Sequence, residues 1–149
     1  MDYRTVLIQT RSAVSLGLVT VFLAMSGLSC KSYTTGLQKT QTNANETSVI
    51  AAMRNVVLAQ QGHAITNDGN YATFLQLVEG GYLDSRFHAE SPELDGYTLT
   101  MKVGEKSFSC NADPTGEQTG RHFYVDSTSA LIRVNASQPA SAKDGVLRL

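Results

Sequence analysis

Residues 46–66 read ETSVIAAMRNVVLAQQGHAIT. Ile50, Met53, Val57 and Ala64 recur at helical spacing, Val49, Ala52 and Val56 widen the stripe, and Arg54, Asn55 and Gln61 lie off it. The pattern predicts a helix of about five turns with one apolar face, which must be covered by something else in the chain. Asn43 followed by Glu46 has the form of a capping box and places the start of the helix there. The turn-forming run Asn67-Asp68-Gly69-Asn70 ends it.

The covering layer is legible downstream. A short helix is expected over Ala72–Glu79, with Tyr71, Phe74, Leu75 and Val78 inward and Gly80-Gly81 closing it. Tyr97–Val103 (YTLTMKV) alternates apolar and polar residues, the period of a half-buried strand. Gly104-Glu105-Lys106 is a hairpin loop, and Ser107–Ala112 returns with Phe108, Cys110 and Ala112 on one face. After a polar loop, Asp113–Gly120, two further strands are expected at Arg121–Val125 and Ala130–Val134, around the turn Asp126–Ser129. One long helix laid on an antiparallel sheet of about four strands makes an α+β domain over residues 46–136. Residues 137–149 are small and polar and read as a flexible tail.

Upstream, residues 30–45 are rich in Thr, Gln, Asn and Ser, with Leu37 the only aliphatic residue, and read as a polar tether. Before that, Arg4 and Arg11 precede an uncharged run, residues 13–29, that ends in Ser26, Gly27, Leu28 and Ser29. A basic segment, an apolar segment and small residues before a cut site make a secretory signal over residues 1–29. A run of seventeen residues falls short of the roughly 20 that a spanning helix needs.

Cys30 then has three readings: an acylation site, half of a disulfide with Cys110, or a plain cysteine after an ordinary signal. Gly27-Leu28-Ser29-Cys30 matches the bacterial lipobox in its last two positions and departs from it at the first two, where an aliphatic residue should precede the small ones. Acylation would anchor the domain to a bacterial envelope membrane, several acyl chains together giving a stable hold. Lys31 rather than an acidic residue after the cysteine favours the outer membrane.

Charge excludes one class of partner. Without residues 1–29 the chain keeps ten basic and twelve acidic residues, scattered singly, which gives no footprint for nucleic acid. His63, His88 and His122 are far apart in sequence and show no paired-ligand spacing. There is no GxSxG, phosphate-binding or dinucleotide motif, so neither an enzyme nor a cofactor is expected.

The run NETSVIAAMRNVVLAQQGHAITNDGNYATFLQLVEGGYLD, residues 45–84, resembles the second half of the pilin helix and the loop that follows it in type IV pilins and type II secretion pseudopilins. The matching positions are Asn45, Glu46, Met53, Arg54, Ala59, Gln60, Gly69, Tyr71, Ala72, Leu75 and Gly80-Gly81. DGYTLTMKV, FSCNADP and GRHFYVDSTSALIRVN resemble the family's sheet hairpins, so the likeness covers residues 43–136. The pilin cleavage site, the glutamate after it and the continuous apolar stalk are missing. The resemblance therefore implies a non-enzymatic pilin-like head behind a lipid anchor, with pilus or secretion-system proteins as partners. It also implies a calcium site, because related pseudopilins hold calcium in a C-terminal loop; Asp113, Glu117 and Asp126 are the candidate oxygen ligands. The alternative is an envelope ligand- or calcium-binding module that reuses the fold, with its ligand in the Asp84–Gly96 loop.

Overall fold

A computed structural model describes residues 30–116 and 119–148. The chain divides into two units, Met1–Thr40 and Gln41–Leu149, and the sheet and the hydrophobic core belong to the second. Its first element, α1, belongs to a helix that runs Cys30–Thr66. Val49, Ile50, Ala52, Met53, Val56, Val57 and Ala59 form its buried face, as the apolar stripe requires. The helix begins upstream of the expected start at Glu46 and takes in the segment expected to be a tether. Polar composition limits what a segment can bury, but not its backbone state: once the packed turns exist, each added turn avoids the cost of nucleation. Gln41 Nε2 donates to Asn45 Oδ1 at 2.7 Å along this polar stretch. Glu46 is thus a mid-helix residue rather than part of a cap, and it is buried.

The short helix α2, Phe74–Glu79, carries its own capping box, with Thr73 and Gln76 exchanging side-chain and backbone bonds. At its other end Gly81 sits at φ +73. The Tyr82 N–H reaches Leu77 O at 2.8 Å and the Gly81 N–H reaches Val78 O at 3.0 Å, a Schellman closure that needs the left-handed residue. Phe74 and Leu77 are buried, and Phe74 stacks on Phe87 with centroids 6.0 Å apart.

The sheet is a six-stranded antiparallel meander in chain order: β1 Glu93–Leu94, β2 Tyr97–Gly104, β3 Ser107–Pro114, β4 His122–Asp126, β5 Arg133–Asn135 and β6 Gly145–Val146. The α+β class holds, with two strands more than the sequence announces. Register places Leu99 opposite Ala112, Met101 opposite Cys110 and Cys110 opposite Val125. Tyr97, Leu99, Phe108, Cys110, Ala112, Phe123 and Val125 consequently share the inner face and join the α1 stripe in one core. β5 starts later than the expected Ala130. Ala130 takes a left-handed φ of +53, its N–H still bonds to Asp126 O at 3.1 Å, and the turn is therefore longer.

The segment expected as a flexible tail is built in. Ala140 is buried, its carbonyl accepts from Asn111 Nδ2 at 2.8 Å, β6 pairs with β5, and the Leu147 N–H bonds to Ile132 O at 2.8 Å.

Candidate functional site

The proposed oxygen ligands do not converge. Asp126 stands opposite Ser109 in the ladder, four positions along β3 from Asp113. At roughly 3.3 Å per residue that separation is about 13 Å. Asp113 Oδ1 accepts a hydrogen bond from His122 Nδ1 at 2.6 Å. Asp126 Oδ1 takes the Thr128 and Ser129 N–H groups at 2.9 and 3.3 Å, and its Oδ2 takes the Tyr124 hydroxyl at 3.1 Å. Both carboxylates are thus occupied in holding the sheet and its turn. Glu117 lies outside the described residues. Among the described residues no three His, Cys, Asp or Glu side chains are grouped to hold an ion.

The Asp84–Gly96 loop is tied to the fold. Asp84 caps a 3-10 turn, Ser85–Phe87, and grips Arg86 through Nε at 3.0 Å and a terminal nitrogen at 2.9 Å. That bidentate contact lowers the Asp84 pKa and raises that of Arg86. Phe87 and Pro92 are buried anchors, and His88 remains exposed. Cys110 is a free, fully buried thiol, so it is not half of a disulfide. Burial, with Asp113 contributing, pushes its pKa up to about 12. Cys30 is the first residue of the helix Cys30–Thr66, and the rest of the lipobox lies outside the described residues. Among those residues, no helix is long and apolar enough to cross a membrane.

Two buried polar locks escaped the sequence reading. Glu46 accepts the Arg121 backbone N–H at 2.9 Å, its Nε at 3.0 Å and a terminal nitrogen at 2.7 Å, which joins α1 to the start of β4. Gln60, fully buried, donates to Ala72 O at 2.6 Å and accepts from Ala72 N at 3.0 Å. It thereby satisfies both backbone groups of Ala72 in the turn between α1 and α2.

The remaining feature is a surface. Leu58 and Ile65, one heptad apart on the outward side of α1, are 65% and 84% exposed, and Tyr82 beside them is 36% exposed. Tyr82 is fixed rather than loose. Its ring lies in a slot between Gly62 and Gly80, where added Cβ atoms would come within 3.4 and 2.9 Å of it. Its hydroxyl meets Thr66 Oγ1 at 2.8 Å, and His63 packs edge-on at 5.5 Å. Asn55, Leu58, Ala59, Tyr82, Leu83 and Asp84 line a groove of about 450 Å³ along this side. A helix-interior glycine, the only hint in the sequence, costs roughly 0.5–1 kcal/mol relative to alanine; here Gly62 makes room for the Tyr82 ring.

No family model, no curated protein and no solved structure matches the chain. The class that the geometry defines is an α+β fold with an amphipathic helix on an antiparallel meander sheet.

Proposed function

We propose that the protein is a lipid-anchored, pilin-like head in a bacterial envelope, a non-catalytic accessory component that docks onto a pilus or secretion machine. The observation that carries the reading is the exposed apolar strip made by Leu58 and Ile65 on α1 and by Tyr82, which packs against that helix from the turn after α2. Apolar groups held in place but left uncovered mark a contact surface when they cluster. The resemblance of residues 43–136 to pilin-like heads supplies the kind of partner, and Cys30 at the end of an export signal supplies the anchor.

A Leu58→Arg/Ile65→Arg variant tests the surface. Both side chains are exposed, so folding should be retained, while site-specific cross-linking in the native cell should lose an identified pilus or secretion component captured by the wild type. Cys30→Ala should release the chain from the membrane fraction and remove the acyl mass from the mature protein. Capture that persists in the arginine variant, or a Cys30→Ala chain that differs in mass from the wild type by the substitution alone and keeps its membrane residence, overturns the corresponding half of the proposal.

A further inference from the structure

The outer face of the sheet, away from α1, holds a second depression. Ten residues line a groove of about 380 Å³ at the hairpin end of β2, β3 and β4, within the size range of small-ligand sites. Five of them carry hydroxyls: Ser107, Ser109, Tyr124, Ser127 and Thr128. Register explains the crowding. Lys102 faces Ser109, and Ser109 faces Asp126, so one row across three strands presents an ammonium, a hydroxyl and a carboxylate. The groove's end stays open because Gly104 has no side chain; a Cβ there would lie 2.9 Å from Ser107 Oγ.

Charge accounting sets the ligand. The Asp126 carboxylate already takes two backbone N–H groups and the Tyr124 hydroxyl, so its acceptor sites are committed inside the protein rather than to Lys102. Lys102 is exposed and has no hydrogen-bond or ion-pair partner among the described residues. The groove therefore offers one uncommitted positive charge next to a row of groups that both donate and accept hydrogen bonds. A simple anion would use the first feature only, and a neutral sugar the second only.

We propose that this groove binds a small hydroxylated carboxylate, a sugar acid, with its carboxylate on Lys102 and its hydroxyls on Ser107, Ser109 and Thr128. The site is separate from the Leu58–Ile65–Tyr82 strip and does not depend on the docking role.

Titration of the full chain in detergent micelles with D-glucuronate, D-glucose and acetate, followed by amide chemical shifts, tests it. Saturable shifts confined to the Lys102–Ser109 and Tyr124–Thr128 segments are expected with glucuronate, at millimolar affinity. Glucose and acetate should each bind at least about tenfold more weakly. Lys102→Gln should lose about tenfold for glucuronate, and Thr128→Ala should weaken glucuronate while leaving acetate unchanged. Both positions are exposed, so an unaltered amide spectrum away from the groove confirms folding. Acetate binding as tightly as glucuronate, no saturable shift, or an unchanged Lys102→Gln affinity each overturns the proposal.

Discussion

Replacing Arg121 by alanine isolates the lock between α1 and the start of β4. In the native protein Glu46 receives three hydrogen bonds from Arg121, two of them charge-assisted from the guanidinium. The substitution removes those two and leaves the backbone N–H. The consequences on the two sides are unequal. The Arg121 side chain is 44% exposed and gives up little burial, whereas that of Glu46 is only 10% exposed and would keep a charge in a place with little water. Breaking a fully buried pair from one side costs about 3–5 kcal/mol. Half-exposure of the arginine lets water reach the orphaned carboxylate, so about 2–3 kcal/mol is expected here. With a urea slope of roughly 1–3 kcal/mol per molar, the midpoint should fall by about 0.7–3 M. Glu46→Gln keeps an acceptor for the Arg121 N–H and removes the charge, and should cost about 1–2 kcal/mol. The double variant should be less damaging than the two losses combined, by at least about 1 kcal/mol, because the orphaned charge no longer exists. Additive losses, or an Arg121→Ala cost below about 0.5 kcal/mol, would refute the view that this pair is a buried tie rather than a surface contact.

Two further substitutions follow from the same core. The Tyr97 hydroxyl is buried with no hydrogen-bond partner among the described residues, and burial, with the Glu46 charge adding and Arg121 opposing, pushes its pKa up to about 12. Tyr97→Phe removes a desolvated hydroxyl and should leave the melting temperature unchanged or raised; a fall equivalent to more than about 1 kcal/mol would reveal a partner for that hydroxyl. Cys110 should resist alkylation in the folded chain and react once denaturant opens the core. Its pKa is about 12 in the folded chain against an ordinary 9.0 for the thiol, so folding favours the neutral form, and its contribution is intact below pH 9 and lost as pH rises toward 12. Labelling of Cys110 at pH 8 at the rate of a free thiol, with the fold intact, would contradict the burial.

What the sequence announced and what it hid follow one physical line. The α1 stripe and the alternation of β2 and β3 were legible because burial selects apolar residues at the period of the element, as Val49, Met53 and Val56 and then Phe108, Cys110 and Ala112 show. β1 and β6 were not, since two-residue strands are too short to display a period. Their shortness is itself useful: a sheet that ends in such strands presents few unpaired backbone groups to another chain. The polar turns of the helix from Cys30 were missed for the opposite reason, because a run of polar residues leaves no apolar period to read.

Buried polar residues are the harder case. Glu46 and Gln60 carry surface-type side chains, and local reading gave Glu46 a capping role. Its real partner is Arg121, 75 residues away, and nothing within a helical turn of either residue records that distance. The same blindness covers both candidate surfaces. Tyr82 becomes a fixed contact only because Gly62 and Gly80 close on it from different elements. Lys102 gains its meaning only because Asp126, which would neutralise it in a list of charges, is satisfied by Thr128, Ser129 and Tyr124. A charge counted in sequence and a charge left free by the fold are different quantities, and only the second can recruit a ligand.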